Sequence, residues 1–186
     1  YMKTFNIPTE IDENKILKTY SNIIENIKDV NHHYIAISYH NLTLWQKIND
    51  IVKKSKIKTI IILKIEKEIN LEEIELVCQQ NLFDMLLIDR GEIGVNMPYY
   101  KIGLYQNNLL DIAKKYNKPT IISTQILEST MNNYIPNRAE ILDLTNEVLS
   151  GVNGVMFCRE TAINPRAAYT LSVARKIIEE VEKYKN

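Results

Sequence analysis

Short apolar runs rich in β-branched residues recur along the chain, and they constrain its fold more than any other feature. Each run has the length and composition of a buried β-strand. The stretches between the runs carry apolar residues at helical spacing, as Leu42, Trp45 and Ile48 illustrate. Strands are predicted at 34–38, 58–64, 85–89, 119–124 and 155–158, with a leading helix at 12–27 and a closing helix at 165–184. This alternation predicts an α/β protein with five parallel strands.

Polar residues follow strand after strand, at the carboxyl end of each one. Lys64 and Glu66 close the second predicted strand, 89–92 the third, 123–125 the fourth and 158–161 the last. A doubly wound sheet concentrates its polar chemistry at one crevice, whereas a (β/α)8 barrel builds its site from many such loops. Five strands are too few to close an eight-stranded barrel. We therefore predict a single partial (β/α)8 TIM-barrel-like domain over residues 1–186.

Charge and composition argue against several classes of protein. The chain has 23 Lys and Arg against 23 Asp and Glu, so its net charge of zero gives no support to binding of nucleic acid or an anionic membrane. No apolar run approaches the roughly 18–20 residues of a membrane-spanning helix. Cys78 and Cys158 lack the spacing of a zinc site or a disulfide framework. No targeting segment is visible, so we expect a cytoplasmic protein, and an organellar location stays open if a segment precedes Tyr1.

Lys64 and Glu66 are the first candidates for chemistry. They lie two positions apart at a strand end, so strand alternation points both side chains to the same face of the sheet. A solvated ion pair is the ordinary explanation for such a motif, and exposed pairs contribute little to stability. The histidines His32, His33 and His40 have no carboxylate or Cys at ligand spacing, and we assign them no catalytic role.

The segment 89–94 (DRGEIG) is a second candidate site. A strand that runs into two glycines can leave backbone N–H groups free beside the Glu92 carboxylate, and free N–H groups bind anions. A turn that uses Gly only for its backbone freedom is the alternative. Glu66 and Glu92 would face one end of the barrel, where two hard oxygen ligands suit Mg²⁺ or Mn²⁺ bound with an anionic substrate. Thr124, at the end of the fourth strand, can bind a substrate carboxylate or satisfy its own turn.

Ordered segments of the chain match the motifs of one enzyme family. KPTIISTQILEST (118–130) is similar to that family's K-P-V/I-I-x-A-T-Q-M-L-E-S-M, and PNRAEILDLTNEVLSGVNGVMFCRETA (136–162) is similar to a run from P-T-R-A-E to G-E-T-A. IIILKIEK (60–67) resembles its strand with K-I-E-N, and IDRGEIGVNMP (88–98) resembles A-R-G-D-L-G-V-E-I/L-P. IPTEIDENKI (7–16) and YIAISYH (34–40) are similar to L-P-x-L-T-E-K-D and Y-I/V-A-x-S-F-V/I. By these motifs the chain resembles the pyruvate kinase family.

The resemblance implies a glycolytic enzyme with a (β/α)8 barrel, which transfers a phosphoryl group from phosphoenolpyruvate to ADP and gives pyruvate and ATP. It implies Mg²⁺ or Mn²⁺ as cofactor, and K⁺, whose ligands are not in this chain. By resemblance, Lys64 stabilises charge on the phosphoryl group and the enolate oxygen, and Glu66 and Glu92 bind the metal. The backbone of Gly91 and Glu92 and the hydroxyl of Thr124 bind the substrate carboxylate, and Thr124 lies near the carbon that is protonated.

Several positions near these residues depart from the family's motifs. Glu92 stands where the family has Asp, and Arg159 brings a bulky cation to a position where the family has Gly. The other departures are Asp89 for a small residue, Cys158 for Ser, Lys67 for Asn and Asn41 for an Arg. They favour one alternative, a catalytically degenerate structural or interaction module in an assembly. The retained Lys64 and Glu66 permit another, a metal-dependent lyase that stabilises the enolate of pyruvate or oxaloacetate.

The resemblance covers strands four to eight of the family's barrel. The family's first three strands, its inserted lid domain and its C-terminal domain have no counterpart in this sequence. Five strands leave open edges and an uncovered apolar interior. We therefore expect another subunit or a missing segment to complete the barrel, and we expect no nucleic-acid or membrane partner.

Overall fold

The computed structural model describes residues 12–27 and 34–185. Residues 7–11 of the N-terminal segment that resembles the family, together with His32 and His33, lie outside the described residues. Within the described ranges, helices and strands follow the predicted alternation. No helix in these ranges is long and apolar enough to cross a membrane.

The sheet consists of five parallel strands, β1 Tyr34–Ser38, β2 Ile60–Ile65, β3 Met85–Asp89, β4 Thr120–Ser123 and β5 Gly154–Met156. Their order in space, β1-β2-β3-β4-β5, is their order in sequence. A doubly wound sheet reverses its strand order at a switch point, whereas an unreversed order is that of a barrel wall. The predicted partial barrel-like α/β fold is confirmed.

Helices alternate with the strands, and several begin at a side-chain cap. They are α1 Glu13–Asn26, α2 Leu42–Ser55, α3 Leu71–Gln79, α4 Arg90–Asn96, α5 Ile102–Lys115, α6 Arg138–Leu149, α7 Arg159–Ala162 and α8 Ala167–Lys185, with 3₁₀ turns at Tyr99–Lys101 and Glu128–Met131. Asn41 caps α2, because its side chain accepts a hydrogen bond from the Leu44 N–H at 2.8 Å. This departure from the family's motifs therefore has a structural role.

The chain divides into two compact units. One unit contains α1 and α2, which pack against each other and share an ion pair between Lys47 and Glu13. The other unit contains the five strands and the helices α3 to α8. The single domain predicted over residues 1–186 stays a prediction.

The middle strands of the sheet are its most buried part. Leu63, Ile65, Ile88 and Ile122 are fully buried, as expected for strands covered on both faces. A second apolar cluster joins α6 and α8 to the chain that follows β4, and its buried members are Ile126, Leu127, Leu144, Val148, Ala174 and Val181. The residues at the carboxyl ends of β2, β3 and β4 are thus carried by well-packed elements.

The last strand is shorter than the sequence pattern predicts. The run 155–158 is predicted as a strand, but β5 ends at Met156. The Cys158 N–H donates a hydrogen bond to the carboxylate of the buried Glu160 at 2.7 Å, and the same carboxylate accepts one from the Ile126 N–H at 2.9 Å. These bonds turn the chain out of the sheet and into α7.

Candidate active site

Lys64, near the end of β2, carries its ammonium group to two carboxylates. Its Nζ donates a hydrogen bond to Glu66 Oε1 and lies 3.0 Å from Asp89 Oδ2. Burial lowers the pKa of Lys64, but the hydrogen bonds to Glu66 and Asp89 outweigh this effect, so the pKa lies above its ordinary value. Lys64 is therefore charged at neutral pH, and it does contact Glu66, as the spacing suggests.

Asp89 lies at the centre of the site, although the prediction from the sequence includes it in the candidate segment 89–94 without assigning it a role of its own. Asp89 ends β3 and caps α4, because its Oδ1 accepts a hydrogen bond from the Glu92 N–H at 3.4 Å. The same oxygen accepts one from the Thr124 hydroxyl at 3.1 Å. Burial raises the pKa of Asp89, but the hydrogen bonds and the charge of Lys64 outweigh it, and the pKa is lowered. An Asp at the start of a helical segment is typical of an N-cap, and that signal could have located this residue.

Gly91 and Thr124 are in close contact, which explains the glycine. A Cβ atom at position 91 would lie 2.8 Å from Thr124 Cγ2 and 3.1 Å from Thr124 Oγ1. Thr124 itself has a φ of 76°, a conformation that is rare for a β-branched residue. Strained backbone of this kind clusters at functional sites. The structure thus brings together two of the residues assigned by resemblance to the substrate carboxylate.

Arg90 holds the strained turn at Thr124. Its Nε and Nη2 donate hydrogen bonds to the Thr124 carbonyl at 3.1 and 2.8 Å, and Nη2 also reaches the Gln125 carbonyl at 3.2 Å. On the other side, Nη1 donates to both oxygens of Asp143 at 3.0 and 2.8 Å and lies 3.6 Å from Glu147. Burial raises the pKa of Glu147. Arg90 therefore links α6 to the backbone of the turn.

Glu66 and Glu92 are linked through Asn96. The Asn96 side-chain amide donates hydrogen bonds to the Glu92 carbonyl at 2.9 Å and to the Glu66 carbonyl at 3.3 Å. The Glu92 side chain is exposed, whereas Glu66 is half-buried against Lys64. The structure thus places the two backbones side by side, and metal binding by these two carboxylates stays a prediction.

The chemistry of the donor set fits a divalent cation. In the part of the chain that the structure describes, no group of three or more His, Cys, Asp and Glu side chains could hold a metal ion. Mg²⁺ is often bound by one or two carboxylates together with substrate oxygens, so it needs no such group. Glu66 and Asp89 already share the positive charge of Lys64, and Glu92 lies close along the chain. Glu66 and Glu92 can supply the one or two protein ligands that such a site requires.

The start of α7, which follows β5, contributes Cys158 and Arg159. The Cys158 sulfur lies 3.7 Å from Thr124 Oγ1, so this position borders the site. The Arg159 side chain is 69% exposed, and its Nη1 lies 3.4 Å from Glu128 Oε1. The bulky cation that departs from the family's motif therefore forms an ion pair at the surface.

The family model for the pyruvate kinase barrel domain matches residues 3–169. The chain belongs to the pyruvate kinase family. It is 30% identical over 172 residues to the pyruvate kinase of Thermotoga maritima, a match that covers 86% of this chain and 36% of that protein. It is 32% identical over 152 residues to the pyruvate kinase of Methanocaldococcus jannaschii, with coverage of 81% and 34%. The predicted resemblance is thereby confirmed.

Solved pyruvate kinases share the fold. The crystal structure of a pyruvate kinase from Cryptosporidium parvum aligns with a TM-score of 0.79 and 27% sequence identity, and the alignment covers 89% of this chain and 35% of that one. The chain spans about a third of the length of the curated relatives it matches. Membership of the family supports a pyruvate kinase-like function.

Proposed function

We propose that this chain supplies the Lys64-centred part of a pyruvate kinase-type active site. The proposed reaction is phosphoryl transfer from phosphoenolpyruvate to ADP, giving pyruvate and ATP. The supporting observation is that the Lys64 ammonium and the Thr124 hydroxyl meet at one carboxylate, Asp89, at 3.0 and 3.1 Å. Because β2, β3 and β4 are adjacent, these groups lie side by side at the carboxyl ends of the three strands.

The proposed roles follow from what phosphoryl transfer requires. The protein has mainly to position the substrates and to place positive charge where negative charge develops. Lys64 supplies that charge, and its raised pKa keeps it protonated. The Thr124 hydroxyl and the Glu92 N–H are donors for the substrate carboxylate. Arg90 holds the Thr124 backbone through its carbonyl, so this donor is oriented before substrate binds.

Glu66 and Glu92 would hold the divalent cation. When bound, Mg²⁺ or Mn²⁺ supplies charge that neutralises the phosphoryl oxygens and orients the substrate. Carboxylate oxygens are the ligands that these cations prefer. By resemblance the enzyme also uses K⁺, whose ligands we expect outside this chain.

The proposed site needs the rest of a barrel. β1 and β5 lie at the two edges of the sheet, and within the described residues each pairs with one other strand. A closed barrel leaves no such edges. We propose that another subunit or a further segment of the polypeptide supplies the remaining strands. Comparing the solution mass of the active protein with the mass of one polypeptide distinguishes these two sources.

A catalytically degenerate module is the second candidate, and the contacts of Asp89 favour it. Two carboxylates already compensate the charge of Lys64, which reduces the charge offered to a phosphoryl group. In that case the fold would serve an assembly and would not turn over phosphoenolpyruvate.

Pyruvate formation from phosphoenolpyruvate and ADP, with Mg²⁺ and K⁺ present, separates the two candidates. In the full-length protein we expect Lys64→Met to lower the rate by about 10²–10³-fold, the range for losing one electrostatic contact to the transition state. Lys101→Met is the matched control, because Lys101 is exposed and lies in the 3₁₀ turn before α5. A folded wild-type protein without turnover, or equal rates for both variants, would favour the degenerate module.

A further inference from the structure

The Asp89 carboxylate is bound as a carboxylate ligand would be. Its Oδ1 accepts hydrogen bonds from the Thr124 hydroxyl at 3.1 Å and from the Glu92 N–H at 3.4 Å. Its Oδ2 lies 3.0 Å from the Lys64 ammonium. Both oxygens therefore have partners, and the side chain is only 12% exposed.

The same donors are the ones that a substrate carboxylate requires. The Thr124 hydroxyl and the Glu92 N–H are the groups assigned to that carboxylate, and Lys64 supplies the neighbouring positive charge. A hydroxyl hydrogen and an amide hydrogen each serve one strong acceptor at a time. A carboxylic acid that enters this site must therefore displace Asp89 from at least two of its three partners.

We propose that Asp89 is an internal competitor for the substrate carboxylate, and so a residue that determines the affinity of the site for small carboxylic acids. The inference rests on the proposed function, because it takes the site to be one that binds a carboxylate. Asp89 also weakens the electrostatic attraction of the site for anions. The two negative charges of Asp89 and Glu66 exceed the single positive charge of Lys64. A free carboxylic acid then binds well only when Asp89 turns away.

The magnitude follows from the occupancy of the Asp89 contacts. When only a fraction of molecules is competent to bind, the apparent dissociation constant is the intrinsic one divided by that fraction. We take the Asp89 contacts to be formed in about nine-tenths of the molecules or more, and removal of the competitor should then tighten binding by about ten-fold or more. Removal of a negative charge beside an anionic ligand acts in the same direction.

The test is calorimetric titration of the full-length protein with oxalate in the presence of Mg²⁺. We expect Asp89→Ala to bind oxalate at least about ten-fold more tightly than wild type. Asp89→Asn removes the charge but retains an N-cap, because Asn and Asp cap helices equally well, and we expect a smaller gain in affinity. Oxalate affinity that falls or stays unchanged in both variants, or oxalate binding that is absent from all three proteins, would overturn the proposal.

Two further measurements make the outcome specific. Asn137→Ala removes the N-cap of α6, where the side chain accepts from the Ala139 N–H at 2.9 Å, and we expect it to lose stability without a change in oxalate affinity. If Asp89→Ala does not fold, the comparison of Asp89→Asn with wild type decides. Turnover of phosphoenolpyruvate is measured on the same samples, and its absence counts against the proposed function without changing the ranking of oxalate affinities.

Discussion

The contact between Gly91 and Thr124 makes one prediction that can be worked out in detail. Gly91→Ala would place a methyl group 2.8 Å from Thr124 Cγ2, so one of the two residues must move. Thr124 cannot move freely, because Arg90 holds its carbonyl with two hydrogen bonds. Forcing an extra carbon into a packed site costs about 1–3 kcal/mol. Gly91 lies within α4, so Ala also gains up to about 1 kcal/mol of helix propensity.

Gly103→Ala is the matched control for this prediction. Gly103 lies in α5, and a Cβ atom there would have no neighbour within 4 Å. This variant gains helix propensity without a clash, so we expect it to stabilise the protein by about 0.5–1 kcal/mol. The free energy of unfolding of Gly91→Ala should therefore lie about 1–3 kcal/mol below that of Gly103→Ala.

Urea denaturation measures both free energies of unfolding, and a double variant identifies the clash. Thr124→Ser removes Cγ2, the atom nearest to the added methyl group, and leaves Oγ1 at 3.1 Å. In a double-mutant cycle we expect Thr124→Ser to recover more than half of the cost of Gly91→Ala. Equal stability of the Gly91→Ala and Gly103→Ala variants would refute the claim that Gly91 is required by close packing.

Three further predictions concern neighbouring groups. Arg90→Met should lower the free energy of unfolding by about 2–3 kcal/mol, and Arg90→Lys should restore less than half of it, because Lys lacks the planar fork. A thiol-alkylating reagent should modify Cys158 before Cys78, since burial raises the pKa of Cys78 to about 11. Mass spectrometry of digests measures the order of modification, and earlier modification of Cys78 would contradict the prediction. The pKa of Asp89 is lowered in the folded state, so its ionised form contributes stability above the unfolded pKa of about 3.9, and this contribution is lost as the pH falls through the lower folded pKa. The free energy of unfolding of wild type relative to Asp89→Asn should therefore decrease between about pH 5 and pH 2. A difference that stays constant over this range would contradict the assignment.

The strands were largely predictable from the sequence because their signal is local. The runs at 34–38 and 85–89 coincide with β1 and β3, because both are short runs of mainly apolar residues with the composition of a strand. The end of β5 was not predictable, because it depends on Glu160, whose carboxylate binds the backbone of Cys158 and of Ile126. No periodicity encodes a side chain that accepts one hydrogen bond from a neighbouring N–H group and another from an N–H group 34 residues away.

The candidate site was predictable in its residue types but not in its contacts. Lys64 lies in β2 and Glu66 follows one residue past its end, so the extended chain points both side chains to the same face. Asp89, by contrast, belongs to the site through Lys64 on one neighbouring strand and Thr124 beyond the other. Its role depends on the register of three strands and on the turn held by Arg90. The local pattern around position 89 indicates a helix N-cap, but it does not indicate the contacts with Lys64 and Thr124.

The most direct test of the central claim is a crystal structure of the full-length protein with Mn²⁺ and oxalate. The claim is that Lys64, Glu66 and Thr124 belong to one site for a metal-bound carboxylate. It predicts a Mn²⁺ anomalous peak beside Glu66, an oxalate oxygen on the Thr124 hydroxyl, and Asp89 displaced from that hydroxyl. Oxalate bound elsewhere, or Mn²⁺ bound away from Glu66, would contradict it.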